Sequence, residues 1–116
     1  MKTQKQHQFN YNEKFASAEQ MWFWFQSSRA ARTMRFCARD AGPTRRVCEL
    51  LDIETLITKL YLAGQLTDEQ LNVMHEFGTR RRAPNQHIYR ENRAATQWRT
   101  AMNVLESAAI KKGWIE

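Results

Sequence analysis

An all-α fold is predicted for this 116-residue chain: a compact bundle of about five helices that ends in one long helix. Three observations predict it. Apolar residues recur at spacings of three and four, which brings them to one face of a helix. Two Ser/Thr-x-x-Gln patterns mark helix starts, because each side chain there satisfies a free backbone N–H of the other residue. Strand-like alternation of useful length and internal repeats are both missing. The length suits one core and not two, so residues 16–116 are expected to form a single helical domain. The preceding stretch, 1–15, is rich in Gln, Asn and Lys and is expected to be a flexible polar arm.

The elements follow in order. Ser17-x-x-Gln20 starts a first helix that is expected to run to about Asp40, where Ala41, Gly42 and Pro43 stop it. A short second helix over 45–51 leads into, or is continuous with, a third that Asp52 caps and that carries Ile53, Leu56, Ile57 and Leu60 on one face. Gly64 stands where a left-handed residue ends a helix. Thr67-x-x-Gln70 opens the next helix, with Leu66 and Leu71 placed as a hydrophobic staple and Asp68 and Glu69 favourable to the helix dipole. Its inward residues are Leu71, Met74 and Phe77. Gly78 and Pro84 break the pattern, and a last helix from about Asn85 to Lys112 sets Ile88, Ala95, Trp98, Met102, Leu105 and Ala109 on one stripe before Gly113.

Charge is distributed in blocks. The chain carries 18 Lys+Arg against 12 Asp+Glu, a net charge of +6, and arginine outnumbers lysine 12 to 6. That ratio matters because the guanidinium fork grips phosphate or carboxylate bidentately and stacks on flat rings. Residues 29–48 hold six arginines and one aspartate, net +5; residues 79–99 hold six arginines and one glutamate, net +5; residues 49–78 between them hold six carboxylates and one lysine, net −5. Two readings follow. Either the basic blocks converge on a phosphate backbone, or they pair with the acidic segment inside one fold.

The candidate binding residues fall in these blocks. On the first helix, Arg29, Arg32, Arg35 and Arg39 form a ridge apart from a small apolar sector of Phe23, Ser27, Ala30, Ala31, Met34, Cys37 and Ala38, and Arg45 and Arg46 follow. Farther on, Arg80, Arg81 and Arg82 precede a helix bearing Arg90, Arg93, Gln97 and Arg99, an arrangement suited to clamping phosphate at a helix start. Asn92 and Gln97 carry the amides that pair with adenine edges in a major groove. These residues predict a nucleic-acid partner, DNA ahead of RNA, and a small DNA-binding regulator as the function. The alternative is a protein-interaction or adaptor module. It is built on the aromatic turn Met21-Trp-Phe-Trp-Phe25, whose Trp22, Trp24 and Phe25 are of the types enriched at interface hot spots, in a homodimer seam or a partner groove. The same turn also suits enclosure by the later helices of its own domain.

From Leu66 on, "LTDEQLNVMHEFG", a basic break and a long helix ending "WRTAMNVLESAAIKKG" resemble a helix-turn-helix of the kind found in region 4 of sigma factors. The likeness covers residues 66–113. It implies that Asn92, Arg93, Thr96, Gln97 and Arg99 face DNA. The sequence departs from that pattern at TRRRAPNQHIYR, which stands where such modules have an Ala followed by a Leu-Gly turn.

Other classes have little to stand on. His7, His75 and His87 lack the spacing of a metal site, the four glycines form no phosphate loop, and neither Cys37 nor Cys48 has an adjacent activating histidine. No catalytic residue, metal or cofactor is therefore expected. The two cysteines do not form a C-x-x-C pair, and reduced thiols in a cytoplasmic protein are expected. No apolar run has the length of a membrane span.

Overall fold

A computed structural model describes residues 13–33 and 47–116 of the chain. Among these residues there are four α-helices, α1 (Ala18–Thr33), α2 (Leu50–Leu62), α3 (Asp68–Arg80) and α4 (Asn92–Lys111), with a 3-10 turn (Tyr89–Glu91) leading into α4. The long C-terminal helix is as expected. The count of five is not.

The missing helix is the short one over 45–51. Residues 47–49 are not helical, and Arg45 and Arg46 lie outside the described residues. Helix α2 begins at Leu50 with Glu49 as its N-cap, so Asp52 sits one turn inside rather than at the cap. From there its carboxylate accepts a 2.9 Å bond from the Glu49 N–H, and the pairing places the N-cap three residues before Asp52. At the other end Gly64 adopts φ +80°, and the Gln65 N–H reaches back to the Leu60 carbonyl at 2.9 Å. This is the left-handed ending that only glycine adopts without a steric penalty.

Both sequence-marked starts are used. Ser17 Oγ accepts from the Gln20 N–H at 3.1 Å, although the Gln20 side chain answers the Ala16 N–H rather than that of Ser17. At α3 the reciprocal pair is complete, with Thr67 Oγ1 accepting from Gln70 N–H at 3.1 Å and Gln70 Oε1 accepting from Thr67 N–H at 3.0 Å. Leu66 is buried ahead of this cap, and Met74 and Phe77 point into the core. Leu71 is half-buried against it.

The core is assembled where α1, α3 and α4 meet. Ala18, Met21, Trp22 and Phe25 of α1 are buried with Val73, Met74 and Phe77 of α3 and with Trp98, Ala101, Met102 and Leu105 of α4. Of the small apolar sector of α1, Phe23 and Ser27 are half-buried, with Phe23 packed against the core, and Met34, Cys37 and Ala38 lie outside the described residues. Ala30 is exposed and Ala31 half-buried, whereas Trp22 and Phe25, on the arginine side of the wheel, are enclosed. The reason is a close crossing. Gly78 lies inside α3, not at a break, and a Cβ there would stand 2.6 Å from Trp22 Nε1. The indole fits over the bare backbone and donates a 2.8 Å bond to the Met74 carbonyl.

The two ends of the described fold are joined. Gly113, at φ +81°, ends α4, and the chain then turns back so that Phe15 N–H donates to Trp114 O at 2.9 Å and Glu116 N–H to Phe15 O at 3.2 Å. Phe15, Trp114 and Ile115 are all buried. Phe15, the last residue assigned to the polar arm, is thus part of the core, while Glu13 and Lys14 before it are exposed. Residues 1–12 lie outside the described residues.

Candidate nucleic-acid interface

The basic segment after α3 is a built loop. Arg81 caps α3 in the left-handed region at φ 60°, and the Arg82 N–H closes on the Phe77 carbonyl at 3.2 Å. The Arg82 guanidinium then grips Glu91 with two bonds, 3.0 and 2.6 Å. Glu91 Oε1 also accepts from the Asn85 N–H at 2.8 Å. With a side chain only 13% exposed, that carboxyl is held down at about 2, first by the Arg82 bond and next by the Asn85 N–H. Asn85 Oδ1 in turn accepts from the His87 N–H at 2.8 Å. That local bond competes with helix, which is why α4 starts at Asn92 and not near Asn85. Ile88, expected on the buried stripe of the last helix, is instead 43% exposed in this loop. The connection from Arg81 to Glu91 is also far longer than the three- or four-residue turn of a helix-turn-helix.

The loop divides the arginines into two groups. Arg80 pairs with Glu76 at 2.9 Å, one turn back on α3, and Arg93 grips Glu69 with bonds of 2.6 and 3.1 Å. The bond to Arg93 holds the Glu69 carboxyl below its ordinary range and raises Arg93 in return. Arg80 and Arg82 also lie over the Phe77 ring, at 5.0 and 5.4 Å from its centre. Three of the six arginines of this block are therefore committed inside the fold. Arg81, Arg90 and Arg99 are exposed and have no carboxylate partner among the described residues.

In the first basic block, Arg29 approaches Glu54 of α2 at 4.0 Å and lies 5.4 Å from the centre of the Phe25 ring. Arg35, Arg39, Arg45 and Arg46 lie outside the described residues, as does the side chain of Arg32.

One face of α4 is polar without being acidic. Asn92, Arg93, Thr96, Arg99, Thr100 and Asn103 are exposed at spacings of three and four, hence along one side of the helix. No carboxylate falls between Asn92 and Leu105. Gln97, half-buried, flanks this face, and Tyr89, 93% exposed, stands just before it beside Arg90.

A cleft of about 680 Å³ lies along the opposite edge of that face, between the start of α1, the loop and α4. Its floor includes Pro84, Trp98 and Met102, and its rim carries Gln86, His87, Arg99 and Asn103, with Glu19 and Glu106 on the α1 side. Both carboxylates are engaged. Glu19 Oε2 accepts from Trp98 Nε1 at 2.8 Å, and Glu106 Oε1 accepts from the Ala18 N–H at 3.2 Å, fastening α4 to the start of α1. The sequence offered no signal for this cleft, since it joins segments as far apart as those fastened by Ala18 and Glu106, 88 positions along the chain. Among the described residues no group of histidine, cysteine and carboxylate side chains has the arrangement of a metal site, and no helix is long and apolar enough to cross a membrane.

Most of the aromatic turn is enclosed by the domain itself. Trp22 and Phe25 stack at 5.2 Å and are buried against α3, Phe23 stacks on Trp98 of α4 at 5.7 Å, and Trp24 tilts against Phe15 at 5.4 Å. Trp22 and Phe25 have only 5% and 2% of their surface exposed, and Phe23 and Trp24 are half-buried. Comparison with protein families, with curated proteins and with solved structures gives no match for this chain.

Proposed function

We infer that the chain is a small nucleic-acid-binding protein, a DNA-binding regulator ahead of an RNA-binding one, that presents the exposed face of α4 and the arginines beside it to the phosphate backbone. The observation that carries this reading is the division of the arginines. Arg81, Arg90 and Arg99 stay in solvent without carboxylate partners among the described residues, and Arg90 and Arg99 stand before and on a helix face of Arg, Asn and Thr side chains that has no acid of its own, its Arg93 holding Glu69 of α3. Unpaired guanidinium groups supply the salt-sensitive attraction to phosphate, and amides and hydroxyls along a helix are the groups that position a protein on a duplex and meet base edges. DNA is favoured because an α-helix fits the major groove of B-form DNA, whereas the A-form groove of RNA is too deep and narrow for side chains to read. Tyr89 adds a solvent-facing ring suited to stacking on sugar or base.

The test is binding of a labelled mixed-sequence DNA duplex, and of the matching RNA duplex, across a salt series. The parent should bind DNA with an affinity that falls steeply with salt. The combined change Arg81→Ala, Arg90→Ala, Arg99→Ala should lower the slope of log K against log salt by about 0.9 for each phosphate no longer neutralised, with helix content unchanged by circular dichroism. A parent that shows no salt-dependent binding to either duplex refutes the function. A triple variant with the parent's slope refutes the interface.

A further inference from the structure

We propose that the cleft between the start of α1, the 81–88 loop and α4 receives one unpaired nucleobase from a bound nucleic acid. This inference rests on the reading above and deepens it by naming what the cleft beside the interface holds.

The groups in the cleft divide into those already committed and those that are not. Glu19 and Glu106 face the cleft, but each holds a donor of the protein, the Trp98 indole N–H and the Ala18 N–H. They shape the wall more than they attract a cation. What is left uncommitted among the described residues is one guanidinium, Arg99, the imidazole of His87, and the carboxamides of Gln86 and Asn103. The last two side chains make no bond to another described group, and each offers both a donor and an acceptor. Beneath them the floor is apolar, with Trp98 and Met102 almost fully buried. A flat ring that is apolar on its faces, lined with donors and acceptors at its edge, and attached to a phosphate matches this set. The ring lies on the floor, Gln86 and Asn103 meet its edge, and Arg99 meets the phosphate. At about 680 Å³ the cleft is within the range of small-ligand sites, about 300–1,000 Å³.

Position supports the same occupant. Arg99 and Asn103 belong both to the cleft rim and to the exposed face of α4. A strand held along that face passes the mouth of the cleft. A paired base is locked in its stack and cannot enter, whereas a bulged base is already free to leave it at little energetic expense.

Three DNA duplexes of one sequence separate the outcomes: fully paired, carrying a single-nucleotide bulge, and carrying the same bulge without its base. The parent protein should bind the bulged duplex about 5- to 150-fold more tightly than the other two, the range expected for one well-held base. The bulged duplex should also move the Trp98 Nε1–H resonance, which reports on the cleft floor through its bond to Glu19. Changing Gln86→Ala, at an exposed loop position off the α4 face, should reduce the preference while leaving the salt slope of the paired duplex as in the parent. Equal affinity for the intact and base-less bulges overturns the cleft assignment while leaving the nucleic-acid reading standing. Absence of salt-dependent binding to all three overturns both.

Discussion

Replacing Gly78 with alanine tests the packing of the whole molecule at one atom. In an exposed helix the change would be favourable by about 1 kcal/mol, because alanine is the better helix former. Here the new Cβ would stand 2.6 Å from Trp22 Nε1 and 3.0 Å from Gln26 Cγ, where ordinary contact begins near 3.4 Å. Trp22 would have to recede by roughly 0.8 Å, the difference between those two distances. That displacement takes the 2.8 Å bond to the Met74 carbonyl out of hydrogen-bonding range. Overpacking costs about 1–3 kcal/mol, and an orphaned buried donor about 1–3 kcal/mol more. After the helix-propensity gain, the net loss is about 1–5 kcal/mol. Urea denaturation at constant m-value measures it, and the thermal midpoint should fall by about 4–8 °C for each kcal/mol in a domain near this size. The double change Trp22→Phe, Gly78→Ala separates causes: without the indole nitrogen the alanine should be better tolerated, giving a coupling above about 0.5 kcal/mol in a double-mutant cycle. A Gly78→Ala protein as stable as its parent refutes the close crossing of α1 and α3.

Two further predictions concern the loop. Because Glu91 titrates near 2 in the folded protein against an ordinary 4.5, the stabilisation from its grip on Arg82 is complete above about pH 4.5 and is lost as pH falls toward 2; Glu91→Gln should flatten the acid limb of the stability curve in that window, and an unchanged acid limb would contradict the assignment. Arg81, at φ 60°, occupies a conformation that disfavours side chains by about 1–2 kcal/mol, so Arg81→Gly should raise stability by roughly 0.5–1 kcal/mol in urea denaturation once the extra backbone freedom of glycine is deducted. The same variant should bind duplex DNA more weakly with a shallower salt slope, and a stabilised protein with undiminished binding would remove Arg81 from the interface.

Local signals in the sequence were reliable where a structure is decided locally. Thr67 and Gln70 cap α3 as their spacing indicates, Gly64 and Gly113 take the left-handed endings, and the apolar stripes of α2 and α4 identify Ile53, Leu56, Leu60, Trp98, Met102 and Leu105 as core. Reading failed where distant segments decide. Gly78 looks like a helix breaker, yet it is the contact surface for an indole 56 positions earlier. Phe15 lies in a polar context, yet it is fully buried because residues 114–116 pair with it. The face of α1 that carries charge on a helical wheel is also the face that enters the core. Its bulky residues Trp22 and Phe25 are buried, and Arg29 extends along the Phe25 ring to reach solvent.

The arginines show why a charge count overstates a binding surface. In residues 79–99 six guanidinium groups suggest a six-point clamp, but Arg80, Arg82 and Arg93 each hold a carboxylate, and one of these, Glu91, organises the loop from Arg82 to Asn85. The exposed pairs of Arg80 with Glu76 and of Arg93 with Glu69 add little to stability. The more enclosed pair of Arg82 and Glu91 also acts on geometry, fixing where the loop leaves α3 and where α4 begins. That in turn holds Arg90 at the α4 start and sets the 83–87 segment as one wall of the cleft whose α4 side carries Arg99. The paired arginines therefore serve as supports, and the unpaired ones as the candidate binding groups. A phosphate backbone arriving at this surface would find Arg81, Arg90 and Arg99 without an ion pair to break among the described residues, so each contributes its full counterion release. Substituting the supports should alter affinity by moving the loop, and substituting the binding groups should alter the salt slope itself.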